Sequence, residues 1–177
     1  MELLYLIGPP GAGKTTLLEN ALAGRERIER DKPLAHEELP ELNAAILGRR
    51  RPPFGGTDTL PMNIARTAES WIRSRPFQLV IGEGDRLAYP AFFTAAVEAG
   101  YQLRLIYLGL PSKTAAERRA ARAHQHGTGL QNPQWVTGRV TKAQRIAQEW
   151  GAVMIYASQS PEAMTRELLD AVPALRA

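Results

Sequence analysis

A chain of 177 residues, 44% of them hydrophobic, is long enough to bury one two-sided core and short for more than one domain. It contains no cysteine, which excludes a disulfide framework and any thiolate metal site. Its net charge of +4 rests on 18 Arg and 4 Lys against 18 acidic residues, an excess too modest to mark a nucleic-acid binder by itself.

Leu3 to Ile7 is a short apolar run without alternation, the pattern of a strand buried on both faces. Gly8-Pro9-Pro10-Gly11-Ala12-Gly13-Lys14-Thr15-Thr16 follows it, and Gly8, Gly13, Lys14 and Thr15 fit G-x-x-x-x-G-K-[ST]. The chemistry explains the spacing. Glycines let backbone N–H groups approach phosphate oxygens, and the helix beginning near Lys14 aims its positive end at the same anion. Lys14 is expected to reach the β- and γ-phosphates of a nucleotide donor, and the Thr15 hydroxyl to bind Mg2+. A glycine- and proline-rich turn would explain the same residues, but the flanking strand and helix pattern favours the phosphate loop.

The helix is expected from Lys14 to about Ala23, ending near Gly24. Arg25 to Arg30 alternates in sign and reads as a solvated helical or loop surface, and Pro33 to His36 as a short second strand. Leu39 to Leu47 suggests a helix, and Gly48 to Gly56 a breaker stretch. Thr57 to Met62 leads into a helix over 63–74, with Ile64, Ala68, Trp71 and Ile72 on one face.

Phe77 to Ile81 is the next strand, closed by Gly82-Glu83-Gly84-Asp85-Arg86. A helix over 90–98 stops at Gly100, and a strand runs from Gln102 to Leu108. Ser112 is the expected N-cap of a long Arg- and Ala-rich helix to about His124. The polar stretch from His126 to Pro133 is expected to be irregular. Helices over 141–150 and 162–172 flank a last strand at 152–156. Strands alternating with helices imply an α/β fold, a three-layer sandwich whose central parallel sheet of about five strands carries helices on both faces. One domain over 1–177 is expected, with a lid around 113–142. No stretch approaches a membrane span or a signal peptide, so a soluble, cytoplasmic protein is expected.

Ligands of such sheets sit beyond the carboxyl ends of the strands, and that rule selects three groups of residues. Glu83 is placed to orient the metal or its water shell, or to contact the acceptor. Asp85 is a candidate base, and Arg86 a contact for acceptor or phosphate; a local Asp–Arg pair in a polar turn is the plainer alternative. In the second group, Gly55-Gly56-Thr57-Asp58 suits a loop that hydrogen-bonds an acceptor, although helix capping alone would account for Thr57 or Asp58. Asp58 therefore competes with Asp85 as the base. Arg118, Arg119 and Arg122 make the third group; Arg118 and Arg122 share a helix face from which both would reach the transferred phosphoryl, and a solvated helix with Glu117 as partner is the plainer alternative. Arg139 and Lys142 are further phosphate-contact candidates, and Gly127, Gly129 and Gly138 candidate lid hinges. Trp71, Trp135 and Trp150 read as packing residues, with Trp135 open to a base-stacking role.

With these residues placed, the chain resembles the P-loop nucleoside, nucleotide and polynucleotide kinase group. Asp85-Arg86 is similar to the Asp-Arg pair that follows the third strand in thymidylate-kinase-like enzymes. Arg118 and Arg122 are similar to that group's lid arginines, and Ser158 to Glu162 to its adenine-contacting loop. The pairing of Gly-Gly-Thr-Asp-Thr-Leu-Pro with Glu-Gly-Asp-Arg-Leu is also similar to small phage-type kinases, including the proposed hydroxymethyluracil-DNA kinases. Glu83-Gly84 before the Asp-Arg pair departs from the thymidylate pattern. The resemblance implies an ATP- and Mg2+-dependent phosphotransferase acting on a nucleoside, nucleotide or DNA acceptor. The competing expectation is a regulatory or motor NTPase that switches a partner.

Overall fold

The computed structural model describes residues 1–51 and 54–176; Pro52, Pro53 and Ala177 lie outside the described residues, as do the side chains of Arg51 and Phe54. The strand β1 (Glu2–Ile7) is fully enclosed because both its faces meet helices. Leu3, Tyr5 and Ile7 point to one face and Leu4 and Leu6 to the other, so the unbroken apolar run divides between two cores.

The elements after it are α1 (Lys14–Ala21), β2 (Ile28–Arg30), β3 (His36–Leu39), β4 (Ala44–Leu47), β5 (Arg49–Arg51), β6 (Phe54–Gly56), α2 (Ala65–Arg73) and β7 (Leu79–Glu83). The chain continues through α3 (Pro90–Glu98), β8 (Gln102–Gly109), α4 (Ser112–Gln125), α5 (Pro133–Glu149), β9 (Val153–Tyr156) and α6 (Pro161–Ala171). Seven strands form the main sheet in the order β2-β3-β4-β7-β1-β8-β9. The pairs β4–β7, β7–β1, β1–β8 and β8–β9 are parallel, which is the expected central sheet of five; β2 and β3 extend it as antiparallel strands. One core packs α2, α3 and α5 on the Tyr5 face through Trp71, Ile72, Phe92, Phe93 and Ile146. The other packs α1 and α6 on the Leu4 face through Leu17, Leu18 and Leu168.

The structure corrects three expectations on the β2–β6 side. The helix expected over 39–47 is instead the end of β3, a tight turn over Pro40–Leu42, and β4. Ala44-Ala45-Ile46-Leu47 is buried on both faces, so it carries no alternation, and its residues also favour helix. Asn43, held left-handed at φ 45°, makes the reversal that commits the segment to the sheet. The surface expected at Arg25–Arg30 ends in β2, which is bound to β3 by an Arg30–Glu38 pair at 3.0 Å. The breaker at Gly48–Gly56 folds as the hairpin β5–β6.

Gly48 makes that hairpin possible. Its φ is 88°, and a Cβ there would lie 1.8 Å from the Gly56 carbonyl oxygen. Gly48→Ala is therefore expected to cost about 2–4 kcal/mol, combining left-handed strain with overpacking. The measure is the urea midpoint at unchanged m-value; a loss below about 1 kcal/mol would show that the hairpin shifts freely.

Further along, Ser112 is the first residue of α4 rather than its cap. The helix expected at 141 begins at Pro133, capped by the Asn132 side chain on the amides of Gln134 and Trp135. Gly138 accordingly lies inside α5 and is no hinge. Among the described residues, no helix is long and apolar enough to cross a membrane.

Candidate active site

The segment between β1 and α1 borders the cleft with Gly8, Pro10, Gly11 and Lys14. Gly13 caps α1 with φ 93°, and no side chain takes the helix's first amides, which leaves them open to an anion. Lys14 Nζ rests within the loop, donating to the carbonyls of Gly8 at 3.2 Å and Pro9 at 3.4 Å. Desolvation pulls the Lys14 ammonium below its usual range, and Glu83 and Asp58 push the other way. Gly11, at φ 90°, lets α4 close over the loop: a Cβ there would lie 2.8 Å from the Ala115 carbonyl.

Glu83 ends β7 directly opposite the loop and is buried. Its Oε1 accepts a hydrogen bond of 2.7 Å from the Thr15 hydroxyl. Burial pushes this carboxyl up, while Lys14 and the Thr15 hydroxyl draw it down. The structure thus brings together Thr15 and Glu83, the two residues expected to hold a metal ion.

Asp58 arrives from the turn after the β5–β6 hairpin. Its Oδ1 accepts from the backbone amides of Asp85 at 2.9 Å and Arg86 at 3.1 Å, which fixes the carboxylate at the end of β7. Beneath it lies a buried polar knot. The Thr57 hydroxyl donates to the Glu83 carbonyl at 2.8 Å, and Tyr5 Oη stands 3.0 Å from Thr57 Oγ1 and 3.3 Å from the Gly84 carbonyl. Thr57, expected to touch substrate, is fully buried and acts as a strut beneath Asp58.

Asp85 is differently engaged. Its carboxylate pairs with Arg139 and, at 3.0 Å, with Lys142, both from α5. The local partner considered for it, Arg86, turns instead to the Met62 sulfur. Burial and the neighbouring Arg139 lower the Lys142 ammonium's pKa. Arg139 and Lys142, expected to contact phosphate, are here the hold of α5 on the end of β7.

The lid arginines also divide. Arg118 donates to the carbonyls of Ala12 at 3.5 Å and Ala157 at 3.2 Å, tying α4 to the loop's outer side. Arg119, the third member of the arginine group, donates to the Pro10 carbonyl at 2.9 Å. Arg122 faces the loop, and its charge acts on both Lys14 and Glu83.

These groups border one open cleft at the carboxyl edge of the sheet, with Lys14, Thr15, Asp58, Glu83, Asp85 and Arg122 on its lining. A second cleft lies across the loop between Gly13, Thr16, Arg118 and Gln159. Trp71 and Trp150 pack as expected: Trp71 lies in the core, and the Trp150 ring meets Phe93 edge-on at 5.5 Å. Trp135 instead remains 43% exposed and borders the main cleft.

A family model described as P-loop Nucleotide Kinase3 matches residues 1–168. No curated protein matches the chain. Among solved structures it is similar to a gluconokinase from Sinorhizobium meliloti 1021, at 15% identity and a TM-score of 0.53, over 99% of this chain and 91% of the other. It is likewise similar to a sugar kinase from Janibacter sp. HTCC2649, at 15% identity and a TM-score of 0.54, over 99% and 98% of the two chains. At such identity the likeness speaks for the fold and not for the substrate.

Proposed function

The chain belongs to the P-loop Nucleotide Kinase3 family and is a P-loop kinase, and from that premise we propose that it carries the γ-phosphoryl of ATP, with Mg2+, to a hydroxyl of a nucleoside, nucleotide or nucleic-acid acceptor, hydroxymethylated bases included. The observation that supports this most is convergence. Lys14, the Thr15–Glu83 pair and the fixed Asp58 carboxylate border one cleft. The loop amides and Lys14 hold the β- and γ-phosphates, Arg122 adds positive charge beside them, and the donor's base lies in the second cleft.

Magnesium takes one or two protein oxygens and completes its shell with water and phosphate. Thr15 Oγ1 and Glu83 Oε1 fit that demand, although no cluster of three or more His, Cys, Asp or Glu occurs among the described residues. When bound, the ion offsets charge on the β- and γ-oxygens.

The acceptor is a hydroxyl because of what stands opposite the phosphate loop. A phosphate acceptor arrives ionised and needs a cationic cradle, whereas a hydroxyl must lose a proton. The groups here are the carboxylates Asp58 and Asp85, and the nearby cations Arg139 and Lys142 are already paired with Asp85. Asp58 takes the hydroxyl proton, the oxygen bonds to the γ-phosphorus, and the bond to the β,γ-bridging oxygen breaks to release ADP.

Transfer of γ-label with Mg2+ to nucleosides, nucleotides, DNA with plain or hydroxymethylated bases, and gluconate tests this. Label on a base-bearing acceptor is expected. Label on gluconate alone would overturn the acceptor class, and free phosphate without labelled acceptor would favour a hydrolase that switches a partner.

The pH dependence follows from Glu83. Burial raises its affinity for a proton, and proton and metal ion compete for the same carboxylate. At limiting Mg2+, activity is therefore expected to fall on acidification at a pH above the ordinary glutamate range. Raising Mg2+ about tenfold moves this limb to lower pH. Rate profiles at two metal concentrations check it, and a limb indifferent to Mg2+ would remove Glu83 from the metal site.

A further inference from the structure

The wall that α5 presents to the cleft is unlike the rest of the site. Ala143 and Ile146 from α5, with Ile7 and Ala88 across from them, give apolar surface beside the carboxylates. Trp135 sits on the same lining and is 43% exposed, a large apolar surface left open at the cleft. Its ring is held. The Arg139 guanidinium lies 4.9 Å from the ring centroid on one side, and the same guanidinium is anchored by Asp85. The guanidinium thus helps to fix the orientation of an indole that keeps 43% of its surface exposed on the cleft lining. Gln131, four residues before Trp135 in the segment leading into α5 and also on the lining, has a buried Oε1 with no hydrogen-bond partner among the described residues. A buried amide oxygen left unpaired is costly, and an N–H donor would satisfy it.

We propose that Trp135, steadied by Arg139, and Gln131 form the platform that takes the acceptor's nucleobase. The inference rests on the kinase reading above, in which Asp58 accepts the proton. A flat heterocycle stacks on the indole, gives an N–H to Gln131 Oε1, and covers the apolar wall, which leaves its hydroxyl toward Asp58. A polyol such as gluconate brings a hydroxyl on nearly every carbon, and apolar surface with one amide oxygen would leave most of them unpaired. The base can belong to a free nucleoside, with the hydroxyl on the sugar, or to a hydroxymethylated base extruded from a DNA strand.

Tryptophan fluorescence on the whole protein tests the platform without needing turnover. Titrants are pyrimidine and purine nucleosides, a short single-stranded DNA with one hydroxymethylated pyrimidine, the same DNA unmodified, and gluconate. The expected result is saturable quenching by at least one base-bearing titrant and none by gluconate. Trp135→Phe should lose the signal while keeping acceptor KM within about threefold, since a phenyl ring still stacks. Trp135→Ala should raise the ratio of acceptor KM to ATP KM about ten- to hundredfold, the range of base–aromatic stacking. Gln131→Leu should raise it less and change the preference among bases. Free nucleoside and modified DNA as separate arms tell the two sources apart.

Quenching by gluconate alone, no saturable quenching by any base-bearing titrant, or an unchanged KM ratio in Trp135→Ala would each overturn the platform. If base-bearing ligands quench normally but no label moves to any acceptor, the kinase reading fails and the platform stands.

Discussion

Lys14→Ala is expected to lower phosphoryl transfer by about 10³-fold, the cost of removing a preorganised charge from a developing phosphoryl transition state. The lysine is held where that charge is needed. Its Nζ donates to the carbonyls of Gly8 and Pro9, contacts that phosphate oxygens would replace. Stability should not follow activity. The fold disfavours the charged ammonium, because desolvation lowers its pKa despite the pull of Glu83 and Asp58. A lowered lysine pKa means that the unfolded chain binds the proton more tightly, so the charge opposes folding at neutral pH. Lys14→Ala should therefore unfold at the same temperature as the native chain or a higher one. Lys14→Arg does not rescue transfer, since a planar guanidinium does not reproduce an ammonium within the loop. Single-turnover transfer and a thermal melt on the same samples decide it. Retention of transfer within about tenfold would remove Lys14 from the transition state.

Asp58→Asn should lower kcat by about 10²–10⁴-fold, the range for loss of a general base, with a smaller change in acceptor KM. The substitution is chosen because an asparagine oxygen still accepts the amides of Asp85 and Arg86, so the turn stays in place. Only the proton acceptor is lost. The expectation rests on where Asp58 lies: on the cleft lining, with a charge that acts on Lys14, Glu83 and Lys142 together. The Asp85 carboxylate is already engaged by Arg139 and Lys142. Asp85→Asn should weaken the hold on α5, raising acceptor KM while kcat falls by less than about tenfold. A larger kcat loss in Asp85→Asn than in Asp58→Asn would exchange their roles.

The division between these aspartates shows where sequence reasoning stops. Both residues were legible as candidates, since each follows a glycine-rich turn at the sheet's carboxyl edge. Nothing local distinguishes them. The amides that fix Asp58 lie 27 and 28 residues away, and the Lys142 that engages Asp85 is 57 residues away. Thr57 carries the same lesson. Its hydroxyl suited a substrate contact in sequence, and only the packing of Tyr5 and Glu83 around it makes it a buried strut. The arginine helix was read as one functional face, yet its turn-by-turn contacts send Arg118 to backbone carbonyls and Arg122 toward the loop.

The sequence by itself determined the phosphate loop, the alternation that builds a parallel sheet, and the edge where the chemistry gathers. Those features are contiguous, and glycine spacing, an apolar strand and a helix start act on one another within a few residues. Tertiary structure alone decided that Ala44–Leu47 is a strand, because a segment buried on both faces has no period to betray it. It also decided that Asp58 meets the amides of Asp85 and Arg86 while Asp85 meets Arg139 and Lys142, and that Arg139 lies over the Trp135 ring. Those outcomes depend on partners brought from distant parts of the chain, and the free energy that selects them exists only once the sheet and its helices have closed together.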